Sequence, residues 1–567
     1  GAHRRAILQQ AALQSVANLG EGAFRSADAA GAFPSLLVFE RLVPEVDSHI
    51  AVVDVAIHRT AEEKAAALRS AVPDALPFAQ VSGSPDYLVA LTQGGSLPPL
   101  SEFATPYVGL QTSDYPRYCR FFWELPLRTP DWEYMQESPE ETGKLTGLSS
   151  LFYWQQGSGD LMSSGLAYIR GQAAWGKKGV AVSRMRQLEA GQYLGNFYNQ
   201  TTAAIIPRDE SLLPAVMAFC SSDEYTEAVH EIDRRICVAN AALGRVGFDL
   251  PRWQTEAERQ FPNGLPAPYT EDPTQWLFHG HPAASSDPLQ VAVARLLGYR
   301  WPTERDDRLE LSDATRNWTE RCRQLVGHAD DDGVVCLPPV RGEKAAHERL
   351  LNLLIAAWES AEPGSWKTSV LAGLLAGAGC SGRTLEAWLK DKFFEQHARF
   401  FKHRPFIWHV WDGLADGFAA LVNYHKLDAR LLDRLTHTYL GDWIRTQESA
   451  VSKGVDGAQM RLAAARQLKV KLEAIAIGEA PNDIFVRWKP LGMQPVGWNP
   501  DLNDGVRLNI RPFMTTEVLR HNRPPKLNVK WERDRGQEPD GTPWFGAFGG
   551  ERVNDHHLKL SDKCADE

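Results

Sequence analysis

The chain has 567 residues, 43% of them apolar and 23% charged, and a formal net charge of −10. That length holds three or four domains with sizeable cores, and the composition is that of an ordinary soluble globular protein. The acidic balance excludes a uniformly basic nucleic-acid coat protein but leaves room for a local basic face.

In chain order, "HRRAILQQAALQSV" reads as a helix and "SVANLG" as a short strand entering the turn "GEGAF". "SLLVFERL" (35–42) and "HIAVVDVAIH" (49–58) are Val-, Ile- and Leu-rich strands of the buried kind, expected to pair as an antiparallel hairpin across a proline-containing turn. No full run of alternating strands and helices precedes them, so a doubly wound domain here would lack its first half. The first residue is Gly, which fits a processed or trimmed product or a separately encoded half. Proline and glycine punctuate 61–105, a linker by composition. From 106 to 340 the sequence is irregular, with one helix marked by Tyr225, Val229, Ile232 and Ile236. Residues 341–480 read as a mainly helical domain. Leu350, Leu354, Ala357 and Trp358 line one face, Leu468, Leu472 and Ile475 another, and Gly478 is a helix stop. Within this stretch "AGLLAGAGC" (372–380) is too short and too glycine-rich for the roughly 18 residues of a membrane span. The last segment, 481–567, mixes short strands ("DIFVRW", "GVRLNI") with a polar tail.

The candidate chemistry is weighed against plain packing. "KHRPFIWHVWDGLADGFAALVNYHKLD" (402–428) holds His403, His409, His425, Asp412 and Asp416 among aromatics. His403 and His409 straddle Pro405, and Gly413 and Gly417 weaken a helix that would pair the aspartates. Aromatic packing with histidines as polar partners is therefore expected rather than a metal or catalytic centre. In "FHGHP", a strand would put His279 and His281 on one face, yet no acidic or Cys cluster completes a metal site. "HADDDGVV" lacks the spacing of a calcium loop and reads as a solvated turn before a strand. The seven cysteines are scattered and none forms C-x-x-C, which fits free thiols in a reducing cytoplasm. No metal ligand set and no catalytic residue is assigned.

Two segments are basic against this background. In "YIRGQAAWGKKGVAVSRMRQ" (168–187), Arg170, Lys177, Lys178, Arg184 and Arg186 meet no acidic residue, and Gly176 and Gly179 flank the lysines as in an exposed turn. Tyr153, Trp154, Gln155, Gln156 and Trp175 lie nearby in sequence. The second segment, 487–513, carries Arg487, Lys489, Arg507 and Arg511. Cations with amides and aromatics suit phosphate positioning and base-edge reading. Spacing alone leaves an unliganded basic turn equally open.

The longer strings carry a resemblance. "SVANLGEGAF", "GLQTSDYPRYCRFFWELP", "WGKKGVAVSRM", "AIIPRDESLLPAVMAFCSSDEY", "DPTQWLFHGHPA", "LQVAVARLLGYRWP", "FFEQHARFFKHRPFIWHVWDGLADGFAALVNYHKL", "YLGDWI" and "GWNPDLNDGVRLNIRPF" resemble the C-terminal half of the large adenine-specific DNA methyltransferases of bacterial phage defence. These are the type IIG restriction-modification group and the BREX and DISARM methylases. The resemblance implies a mixed α/β and α+β chain. The tail of a doubly wound methyltransferase domain (1–60) would lead through the linker to a target-recognition region (106–340), followed by the helical domain and the C-terminal segment. It implies S-adenosylmethionine as cofactor, held mainly by a half not present here, and double-stranded DNA as partner. The N-terminal methyltransferase half as a separate chain and other defence-system proteins are further partners it implies.

The family's Asn-Pro-Pro-aromatic motif, which holds a flipped adenine, is missing. "NPD" (499–501) does not replace it. Lys177, Lys178, Arg184, Arg186 and Arg170 are the expected DNA contacts, with Gln111 and Trp154 beside them. A protein-binding scaffold of a defence complex is the alternative. A nuclease built on Asp391 and Glu395 is a weaker one, because these do not form the separated carboxylate pattern a metal-dependent nuclease wants.

Overall fold

The computed structural model describes residues 2–25, 32–83, 89, 97–113, 115–163, 165, 167–185, 187–233, 235–478, 482 and 510–520. Expectations for Arg186, for Arg487, Lys489 and Arg507, for "NPD", for the strands "DIFVRW" and "GVRLNI" and for the polar tail fall outside the described residues. So does the side chain of Arg511. The fold is mixed α/β, with several small sheets and many helices. The chain divides into two compact units, one of residues 1–102, 228–234 and 245–249, the other of the remainder.

The first unit centres on a four-stranded sheet of β1 (Ala12–Asn18), β2 (Ser35–Glu40), β3 (His49–Asp54) and β4 (Asp74–Pro77), in the order β2-β1-β3-β4. The helix expected through Val16 ends at Gln10, and Ala12–Val16 belong to β1. A central strand satisfies its backbone groups on both sides, which overrides the local helical preference of the Ala- and Gln-rich stretch. The expected hairpin of β2 with β3 does not form. β1 lies between them, antiparallel to β2 and parallel to β3. The arms keep the opposed directions of a hairpin, but residues 41–48 are long enough to step across one intervening strand. Among the described residues the parallel pair β1 and β3 is linked through β2 rather than through a helix, so it is not a β-α-β unit. β2 is also not buried as expected. It is an edge strand, and Leu36, Leu37, Val38 and Phe39 are all about half exposed. Residues 61–83, linker by composition, carry β4 and the helix Ala61–Ser70, which opens on a Thr60/Glu63 capping box.

Among the described residues the second unit holds three sheets. The first has the order β10-β9-β12-β5, from β5 (Ala104–Val108), β9 (Gly179–Ser183), β10 (Ala190–Tyr193) and β12 (Thr202–Pro207). The second has the order β11-β7-β8-β6, from β6 (Cys119–Phe121), β7 (Trp132–Gln136), β8 (Ser150–Tyr153) and β11 (Phe197–Tyr198). β9 and β12 are buried at every position, matching their runs of small and β-branched residues. The helix marked by Tyr225 spans Asp223–Ile232; Ile236 lies beyond it, exposed.

The helical stretch after 341 is interrupted by a third sheet, β13 (Val334–Cys336), β14 (Ile407–Trp411) and β15 (Ala419–Asn423), in the order β13-β15-β14. The mainly helical expectation for 341–480 did not include β14 and β15. "IWHVW" is β-branched and aromatic, a strand composition. The turn to β15 is set by Asp412, whose carboxylate accepts from Leu414 N and Phe418 N. The helices Ala346–Ala361, through Leu350, Leu353 and Leu354, and Ala458–Ile477, through Leu468, Leu472 and Ile475, share one buried core with these strands. Gly478, at φ 64°, stops the latter.

Candidate nucleic-acid interface

Three stretches far apart in sequence meet over one small apolar cluster in the second unit. Leu110, Tyr118, Met135 and Phe152 form its floor, and Trp154, Ile169, Trp175 and Phe197 lie half-buried on top. Trp154 meets Trp175 edge-on with ring centroids 5.8 Å apart, and Phe197 lies 5.2 Å from Trp154 and 4.2 Å from Trp175. Such contacts hold the rings rigid while part of their area stays in water.

Gln111 joins this surface through its backbone. It donates to Tyr168 O at 3.0 Å and accepts from Tyr168 N at 2.9 Å. Tyr168 is exposed, and the Arg170 guanidinium sits 4.9 Å from its ring centroid. From Trp175 the chain turns through Gly176, at φ 75°, whose N–H donates to Gly195 O at 2.8 Å. Lys177 and Lys178 follow, both exposed and, among the described residues, without an ion-pair partner. β9 then begins, and at Gly179 a Cβ would stand 2.6 Å from Ile205 O, so only glycine lets the turn press on β12. The exposed turn read from "WGKKG" is thus present, anchored at both ends.

Of the expected contacts, the structure brings together Gln111, Trp154, Arg170, Lys177 and Lys178. Arg184 is differently employed. Its Nε donates to Val238 O at 3.0 Å and an Nη to Gln200 O at 2.7 Å, so its guanidinium ties two loops of its own chain.

Sequence reading passed over two further features. Tyr168 and Phe197 carry no motif and become visible only when β11 and the 168–175 segment fold side by side. The turn Gln155–Gly157 is the second. Gln155 (φ 48°), Gln156 (φ 54°) and Gly157 (φ 79°) are consecutively left-handed. For the two glutamines that costs about 1–2 kcal/mol each. Trp154 N and Gln155 N both donate to Asp131 O, at 2.8 and 2.9 Å, and Gly157 N donates back to Trp154 O, which together hold the turn.

The other candidates are structural. His279 and His281 lie on no strand. His279 Nδ1 accepts from His281 N and His281 Nδ1 from Ala283 N, both rings pack against Trp318, and burial lowers both pKa values to about 3. The aspartate turn is not simply solvated as expected. Asp330 is buried and pairs with Arg349 at 2.9 Å, while Asp332 accepts from Arg434 at 2.8 Å and Tyr439 at 2.9 Å. Only Asp331 faces water. This ionic lattice lines an open cavity of about 460 Å³ in which the charges neutralise one another.

In 402–428, Phe406, Trp408, Phe418 and Tyr424 are buried and Trp411 is half-buried under Arg520. His425 Nε2 bonds Trp123 O at 2.9 Å, as a polar partner should. His409 departs from that expectation. It is fully buried, and neither ring nitrogen has a hydrogen-bond partner among the described residues. Burial first, and the Arg520 cation second, lower its pKa to about 3. Asp391 pairs with Arg520 at 2.9 Å and Glu395 with Arg399 at 2.6 Å, so each proposed nuclease carboxylate is already engaged. Among the described residues no group of three His, Cys, Asp or Glu is arranged to hold a metal ion, and no helix is long and apolar enough to cross a membrane.

The architecture defines a mixed α/β protein with a surface cluster of aromatics, amides and cations. Comparison with known proteins gives no family model that matches and no curated protein that matches. Among solved structures the chain is similar to the type IIL restriction-modification enzyme MmeI, determined in complex with DNA, at 10% identity and a TM-score of 0.24. That match covers 69% of this chain and 46% of the enzyme.

Proposed function

We propose that this chain is the target-recognition portion of an S-adenosylmethionine-dependent, adenine-specific DNA methyltransferase of a phage-defence or restriction-modification system. It holds duplex DNA while a catalytic half flips and methylates the adenine. The observation that carries the reading is that the segments bearing Gln111, Tyr168 with Arg170, and Trp154 meet over one apolar cluster with Trp175, two residues before the exposed Lys177 and Lys178. Exposed cations neutralise phosphates, and amides and aromatics beside them meet base edges and sugars. The string resemblance supplies the methyltransferase context, including a cofactor bound mainly by the other half. No residue of this chain is given a catalytic role.

The test is direct. The chain alone should bind duplex DNA yet transfer no methyl group from S-adenosylmethionine, and a separately supplied methyltransferase half should restore transfer. Full methylation by the chain alone would defeat the reading.

A further inference from the structure

We propose that Gln156 is the residue through which this surface reads one adenine, by its amide against the N6 and N7 edge in the major groove. This inference rests on the DNA-binding reading above and deepens it. Three observations carry it. First, Gln155 and Gln156 differ sharply in employment. Gln155 is half-buried and folds over Gly159, where an added Cβ would stand 2.0 Å from its Oε1. Gln156 is exposed, and among the described residues its amide has no partner. Second, the backbone at Gln156 has φ 54° and ψ 27°, a conformation that glycine or asparagine would adopt with less strain. Strain carried by an exposed side chain without a partner marks the position as a candidate functional one. Third, the turn is rigid and well placed. At Gly157 a Cβ would stand 3.1 Å from the Trp154 indole, and Trp154 in turn packs on Trp175, two residues before the exposed lysines. A carboxamide carries one donor and one acceptor group side by side, which matches adenine's N7 acceptor and N6 donor and no other major-groove edge as well.

The test selects duplexes from a randomised DNA library with the wild-type chain and with Gln156→Glu and Gln156→Gly, followed by sequencing of the bound fraction. The wild type should favour adenine at one position by roughly ten- to hundredfold. Gln156→Glu should shift that one position toward cytosine, whose N4 amine a carboxylate accepts. Gln156→Gly relieves the backbone and should keep or raise the thermal midpoint while losing the preference at that position alone. If both variants keep the wild-type preference, the inference falls and the DNA-binding reading stands. If Gln156→Gly loses affinity for all sequences alike, Gln156 is a general anchor and the inference again falls. If the wild-type chain binds no duplex, the functional reading itself fails and takes this one with it.

Discussion

Two regions of this molecule are rich in aromatic residues, and they do opposite things with them. Around β14 and β15, Trp408, Phe406, Phe418 and Tyr424 are closed into a dry core, with Trp408 5.0 Å from Tyr424 and 5.1 Å from Phe513. Around residues 154–197 the rings of Trp154, Trp175 and Phe197 are only half-covered, and Arg170, Lys177 and Lys178 stand beside them in water. The titratable groups follow the same division. His409 sits in the core with no hydrogen-bond partner among the described residues and burial holds it neutral, whereas the two lysines face water. Aromatic and histidine content therefore does not mark a binding surface.

The largest effect that would sharpen this contrast is at Trp408. Trp408→Ala should cost about 3–5 kcal/mol in denaturant unfolding while leaving DNA affinity per folded molecule unchanged. A loss of DNA affinity in the folded fraction would break the separation of core from interface. Next comes Arg184. Because its guanidinium bonds two backbone carbonyls, Arg184→Ala should cost about 1.5–3 kcal/mol of stability and leave the salt dependence of DNA binding alone. A flattened salt dependence instead would return Arg184 to the set of phosphate contacts.

His409 gives a pH effect. Its pKa is lowered in the folded chain to about 3, so between pH 6.5 and 3 the unfolded state binds the proton and the folded state does not. Stability is fully present above about pH 6.5 and falls as pH drops, by about 1 kcal/mol per pH unit from this one group. His409→Leu should flatten the profile of unfolding midpoint against pH. An unchanged slope would show that this imidazole is not the buried neutral group described above.

Much of the core was legible in the sequence. The helix faces of Leu350 and Leu354, and of Leu468, Leu472 and Ile475, follow from three-four spacing, and the glycine stop at 478 follows from chain conformation. β14 and β15 were hidden because their short apolar runs sit between true helices, where period alone does not separate strand from buried helix. The insertion of β1 between β2 and β3 was hidden because pairing partners are a non-local choice. At the candidate site, Lys177 and Lys178 were legible from their glycine-flanked, acid-free setting. Arg184 looked equivalent to them by that rule. What separates it is that Val238 and Gln200, distant in sequence, offer it carbonyls. The handedness of the Gln155–Gly157 turn is fixed by the carbonyl of Asp131, a long-range contact that local sequence does not encode.

The central claim is that the 152–197 surface binds the phosphate backbone through its two free lysines. Anisotropy of a labelled duplex, titrated with the chain across a salt series, tests it most directly. The wild type should lose affinity steeply with salt. Lys177→Ala/Lys178→Ala should reduce the slope of log K against log salt by about 2, with an unchanged thermal midpoint. A slope identical in wild type and variant, or binding indifferent to salt, would contradict the account.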